Sequence, residues 1–80
     1  MAKQIDIQEL IPFMKKGWIT MDKSGEWVWW EKKPAKDKYI DMWVKREASA
    51  GAWMFLNIMF NIKPVSDWTK SLIKVENKDE

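Results

Sequence analysis

The stretch Trp18-Ile19-Thr20-Met21-Asp22-Lys23-Ser24-Gly25-Glu26-Trp27-Val28-Trp29-Trp30 constrains this chain more than any other. Two runs rich in β-branched and aromatic residues flank a short polar segment. Within it Asp22 can bond its own turn backbone, and Gly25 can adopt the positive φ that closes a type I turn with a bulge. That is a β-hairpin. If Asp22 opposes Glu26, then Met21 opposes Trp27, Thr20 opposes Val28, Ile19 opposes Trp29 and Trp18 opposes Trp30. Side-chain alternation places Ile19, Met21, Trp27 and Trp29 on one face and Trp18, Thr20, Val28 and Trp30 on the other. Both faces carry tryptophan, which a sheet with a single buried face does not require.

A chain of 80 residues has little interior, burying only about 60–65% of its unfolded surface. Its core therefore depends on large side chains, and seven Trp supply them. Before the hairpin, Ile7, Leu10, Ile11 and Met14 fall on one stripe of a helix, and Asp6 with Glu9 has the form of a capping box. Pro12 either kinks this helix or starts a shorter one; Lys15 and Lys16 suit its end, and Gly17 can take the left-handed residue after it.

After the hairpin, residues 31–37 read as a polar connection interrupted by Pro34. Residues 38–47 fit two patterns. As a strand, Ile40, Met42 and Val44 share a face. As a helix, Asp37 caps, Gly51 terminates, and Tyr39, Met42, Trp43 and Arg46 align. The β-branched and aromatic content favours the strand. Residues 47–51 then make a turn, 53–62 a long strand ended by Pro64, and Ser66 caps a short helical segment that folds Trp68 and Leu72 onto the body. The expectation is an α+β fold with a short N-terminal helix, an antiparallel meander of three or four strands and a short C-terminal helical segment. It forms one domain over 1–75 with a flexible polar tail at 76–80, since from Val75 onward the sequence offers nothing to pack.

With no Cys and no His, the chain has no disulfide, Cys/His zinc site, thiol nucleophile or imidazole base. Its three glycines all fall at expected turns or caps, leaving none for a phosphate-binding loop. Asp22, Glu26, Glu31, Asp37 and Asp41 match neither a calcium loop nor a hydrolase motif. The longest apolar run, 52–62, is broken by Asn57 and Asn61 and falls short of the roughly 18–20 residues of a membrane span. The N-terminal residues lack a secretory pattern. These features lead to an expectation of a cytoplasmic protein that is not an enzyme, with no cofactor, metal or membrane partner.

Lys32, Lys33, Lys36, Lys38, Lys45 and Arg46 gather near Trp30 and Trp43, a grouping suited to single-stranded nucleic acid. Glu31, Asp37, Asp41 and Glu47 are interleaved with them and the net charge is only +2, so a solvated charged face is the simpler reading. The helix can fold most directly over the Ile19/Met21 face. Trp30, with Trp18 and Trp43 beside it and Lys32 and Lys45 at the rim, is then the expected partner-binding patch, with at least one Trp partly exposed. Self-association that buries the second Trp face is the other physical outcome.

The spacing Gly17-Trp18, Asp22-x-x-Gly25-x-Trp27-x-Trp29 and Asp67-Trp68-x-x-Ser71-Leu72, spread over residues 10–74, resembles that of short uncharacterised proteins of phages and prophages. The resemblance carries no catalytic or binding residues. It implies a setting in which a small domain binds and blocks a host protein, including components of antiviral defence. The expected function is a non-enzymatic binding module that inhibits a host protein by occlusion. The alternatives are a small single-stranded nucleic-acid-binding module and a self-associating structural protein.

Overall fold

The computed structural model describes residues 3–37, 39–45 and 51–76. Helix α1, Ile7–Leu10, starts at Asp6, whose carboxylate accepts the Gln8 N–H at 2.9 Å while the Glu9 carboxylate accepts the Asp6 N–H at 3.0 Å. The expected capping box is thus present, and Pro12 sets the course of the chain beyond it. Lacking an N–H, Pro12 fits the opening of a tighter helical turn, and the chain passes into a 3₁₀ turn over Ile11–Phe13. Gly17 is not the left-handed residue after the helix; it is buried as the first residue of a strand. A Cβ there would collide with the Trp30 carbonyl and approach the Trp29 indole nitrogen to 2.8 Å, so close packing is what requires glycine.

The described strands are β1 Gly17–Met21, β2 Trp27–Trp30, β3 Ala35–Asp37, β4 Met42–Val44, β5 Trp53–Phe55 and β6 Ile73–Val75. With the short helix they make a mixed α+β fold, mostly β, with antiparallel sheets. The hairpin of β1 and β2 has the expected register at every position from Trp18↔Trp30 to Met21↔Trp27, and Gly25 has φ 93°. The larger sheet runs β5-β2-β1-β6, so the hairpin is central and the two edges come from distant parts of the chain.

Three expectations about the later segments need correction. The polar connection contains β3, which pairs with β4 in a separate two-stranded sheet. Of 38–47, residue 38 lies outside the described residues, and among the described ones the strand covers Met42–Val44, with Trp43 pointing inward and Met42 exposed. Residues 46–50 lie outside the described residues. The long strand over 53–62 stops at Phe55 and passes into a 3₁₀ turn at Leu56–Ile58; Ile62 then forms a parallel bridge with Ile5. Finally, Asp67 rather than Ser66 caps the turn Trp68–Lys70, and the chain continues into β6. Val75 pairs opposite Gly17 and is fully buried, so the body of the fold reaches it; residues 77–80 lie outside the described residues.

Side chains finish the ladders that these short edge strands leave incomplete. The Ser71 hydroxyl accepts the Met21 N–H at 2.8 Å, and its one proton lies between the Trp68 carbonyl at 2.7 Å and the Met21 carbonyl at 3.1 Å, so the β1–β6 alignment continues two residues past Ile19↔Ile73. On the opposite side of the hairpin the Asn57 side chain accepts the Trp27 N–H at 2.7 Å, where β5 has already ended.

The larger sheet buries both faces. Against the first, α1 and its continuation pack Ile7, Leu10 and Met14 onto Ile19, Met21 and Trp27, joined by Leu56, Ile62 and Val75. The second holds Val28, Trp30 and Trp43, with Trp18, Phe55, Trp68 and Leu72 partly buried around them.

Candidate partner-binding site

The β3–β4 hairpin and the C-terminal segment with Trp68 and Leu72 share the cover on the second face, and a buried carboxylate fastens the hairpin. Asp22, at the end of β1, accepts the Trp43 N–H at 2.8 Å. Its own N–H and C=O are spent inside the hairpin turn on the Glu26 carbonyl and the Gly25 N–H. Burial pushes the Asp22 carboxyl above its ordinary value, while the hydrogen bond from Trp43 acts against that rise. Next to it, the Lys23 N–H donates to the Asp41 carbonyl at 3.3 Å and the two side chains form an exposed ion pair at 3.5 Å. Trp43 is held from its other end, since its indole N–H donates to the Trp68 carbonyl at 3.2 Å.

Between this hairpin and the sheet lies a crevice of about 220 Å³, walled by Val28, Trp30, Trp43, Trp53 and Phe55, with Met42 and Val44 from β4. Asp22 and Lys45 are the charged residues of its lining. β5 shapes the open side. Its register sets Trp53 opposite Trp30 and Phe55 opposite Val28, so both side chains leave the sheet on the second face. The Trp53 ring lies 6.5 Å from that of Trp30, tilted by 39°, and meets the Phe55 ring edge-on at 4.7 Å. Trp53 remains 45% exposed.

The structure therefore brings Trp30, Trp43 and Lys45 together, as expected, but corrects what they do. Trp30 is 7% exposed and Trp43 6%, so neither forms an exposed patch; they are the inner wall of the crevice. The physical reason is that β3–β4, read as a polar connection and a lone strand, folds over the face that α1 leaves open. Trp30 also completes its hydrogen bonding internally, its indole N–H donating to the Thr20 hydroxyl at 2.9 Å. Trp18 and Lys32 line no part of this crevice. Trp18 is half-buried, with the Lys33 and Lys74 ammonium groups 5.4 and 5.7 Å from the centre of its rings. Lys32 is exposed, beside Gly51. The residue that the sequence reading missed is Trp53. Its signal was the i, i+2 spacing of Trp53 and Phe55, which puts two aromatics on one face of any strand formed there.

Chemically, the crevice can receive an apolar or aromatic group and offers little else. Asp22 has no second carboxylate beside it in the lining. Among the described residues no group of three or more Asp or Glu side chains is placed to hold a metal ion, and no helix is long and apolar enough to cross a membrane. Comparison with known protein families, with curated proteins and with solved structures finds no match in any of the three.

Proposed function

We propose that this protein is a non-enzymatic binding module that takes an apolar side chain of a protein partner into the crevice bounded by Trp53, Trp30 and Phe55. The observation that carries this reading is Trp53: a large indole left half in solvent, backed by two other aromatic rings and next to an almost wholly apolar hollow. Aromatic anchors in desolvated pockets dominate protein interfaces, whereas catalysis needs convergent polar groups that this lining does not contain. Together with the resemblance to phage and prophage proteins, this supports a small inhibitor that works in the host cytoplasm by occluding a host protein. Antiviral defence components are the favoured targets.

A photoreactive amino acid at position 53 should capture that target from host lysate, while the same group at position 63, remote from the crevice, should not. With the captured protein purified, Trp53→Ala should weaken binding by about 30-fold, the equivalent of about 2 kcal/mol, and leave the fold cooperative. Unchanged affinity in that variant would refute the assignment of the crevice.

A second reading, single-stranded nucleic acid, draws on Trp18 and the two lysines beside it. It ranks lower because those ammonium groups already lie over the ring that a base would need to stack on. Salt-sensitive retention on single-stranded DNA, lost in Trp18→Ala and kept in Trp53→Ala, would favour it.

A further inference from the structure

The two edges of the larger sheet differ in how they are protected. Along the hairpin, the Asp22 N–H bonds the Glu26 carbonyl, so even-numbered residues of β1 and β2 turn their backbone groups toward each other. Odd-numbered ones turn outward, which is why Met21 reaches Ser71 on one side and the Glu31 N–H reaches the Ala52 carbonyl, at 2.9 Å, on the other. Carried across to the edges, this alternation fixes which groups are left over. On β6, Ile73 and Val75 face β1, so the outward backbone groups belong to Lys74, whose exposed side chain forms an ion pair with Glu76 at 3.2 Å. On β5, Met54 faces β2, and the outward backbone groups belong to Trp53 and Phe55, the Phe55 carbonyl also opening the 3₁₀ turn at Leu56–Ile58. No other described residue pairs with them.

A charged residue on an edge strand discourages another strand from adding there. β6 has that protection. β5 consists of Trp53, Met54 and Phe55, with no charge, no proline and no bulge. We propose that β5 is a self-association edge, where two copies of this chain pair antiparallel about a two-fold axis at Met54 and continue the sheet from one molecule into the other.

The register supports a second copy as the occupant. A two-fold axis at Met54 sets Trp53 opposite the partner's Phe55 and Phe55 opposite the partner's Trp53. Those are the two positions with outward backbone groups, so in each pair the Phe55 N–H can donate to the Trp53 carbonyl, and the Phe55 carbonyl has its second lone pair for the Trp53 N–H. The same axis matches an indole with a phenyl ring on the second face and Met54 with the partner's Met54 on the first, pairings that favour antiparallel strands. Charge agrees as well. β5 itself carries no charge to oppose to its copy, whereas the same operation at β6 would oppose Lys74 to itself.

A three-residue ladder alone falls short of the roughly 1,200–2,000 Å² that a stable interface buries. Met54, however, lines a groove of about 530 Å³ on the first face with Phe13, Trp29, Met59 and Phe60, and with the opposite charges Lys15 and Glu31. Phe13 is 83% exposed and Met59 59%, and Ile58 on the turn after β5 is 79% exposed. These side chains are the apolar surface beside the axis that the contact draws on. A closed, isologous contact of this kind ends at two copies and leaves no further edge of the same sort.

Sedimentation of the intact chain from about 1 µM to 1 mM tests this over the range in which a modest interface dissociates. The proposal expects the mass to rise from that of a monomer to that of a dimer, with the Trp53 and Phe55 amides becoming slow to exchange as it does. The Met54 amide should be protected throughout. Met54→Lys places two ammonium groups face to face on the axis and should raise the dissociation constant about tenfold or more. Phe55→Pro removes an outward N–H at a residue whose φ of −75° suits proline, and should act in the same direction. A chain that stays monomeric across the range overturns the proposal, including one whose Trp53 and Phe55 amides become protected only by a different protein. So does a dimer that Met54→Lys leaves intact. Met54 is on the face opposite the crevice, so loss of the dimer with anchor binding retained separates this edge from the proposed function.

Discussion

The two faces of the larger sheet are covered in different ways. On the first, the cover is a sequence-local amphipathic element: α1 and the turn after it place Ile7, Leu10 and Met14 over Ile19, Met21 and Trp27, and all six are buried. On the second, the cover is a hairpin in which Trp43 is buried among the described residues, with Trp68 and Leu72 beside it; Trp43 is held by the buried Asp22 and by an indole hydrogen bond to Trp68. The first cover closes over Ile19, Met21 and Trp27 and leaves its open groove to the side, at Trp29 and Met54. The second leaves a hollow bordered by an exposed Trp53. A cover fastened by a few polar contacts can hold a face without filling it, and the space left over is the site we propose for a partner.

The sharpest way to break this comparison is to remove one Trp from each face. Trp27→Ala should cost about 3–5 kcal/mol, which in a domain with so small a core should abolish cooperative unfolding near 37 °C. Trp30→Ala should cost less, because its ring borders an existing hollow, though it leaves the Thr20 hydroxyl without the indole donor. Chemical denaturation of the two variants checks the ranking; equal losses would mean that the faces are equally packed.

A smaller effect sharpens the contrast at the point of fastening. The Asp22 carboxyl is raised by burial, so the folded chain holds that proton more tightly than the unfolded chain. The stability this provides is complete below the ordinary value of 3.8 and is lost as the pH rises through the higher folded value. Asp67 acts in the other sense. Hydrogen bonds from the Thr69 side chain and backbone lower its pKa, so its contribution is lost only as the pH falls below 3.8. Denaturation midpoints of the wild type should therefore decline relative to those of Asp22→Asn as the pH rises from 4. Parallel curves would show that Asp22 is not desolvated as described.

Legibility in the sequence divides along the same line. The hairpin register, the capping box at Asp6 and Glu9, and the Ile7/Leu10/Met14 stripe all arise from interactions within a few residues, where spacing alone decides the geometry. β3 and β6 do not. Each is three residues long, with little apolar periodicity, and exists because a partner strand offers unpaired backbone; Val75 became core only because Gly17 lies across from it. The ladder-closing side chains were equally hidden, since Asn57 and Ser71 act on residues 30 and 50 positions away. For the candidate site, the two-faced hairpin correctly signalled a second aromatic surface. It named the wrong exposed indole because nothing local indicated that Ala35-Lys36-Asp37 would pair with Met42-Trp43-Val44 and lay Trp43 over Trp30.

The central claim is that the second face is covered over Trp30 and Trp43 and open at Trp53, and solvent access to each indole tests it most directly. With 5-fluorotryptophan in all seven positions and single Trp→Phe variants to assign the resonances, ¹⁹F spectra can be recorded against a soluble paramagnetic quencher at concentrations that keep the chain monomeric. Trp53 should broaden most and Trp18 less, while Trp27, Trp30 and Trp43 stay sharp. Broadening of Trp30 comparable to that of Trp53 would contradict the claim, because the β3–β4 hairpin would then not be lying over the sheet.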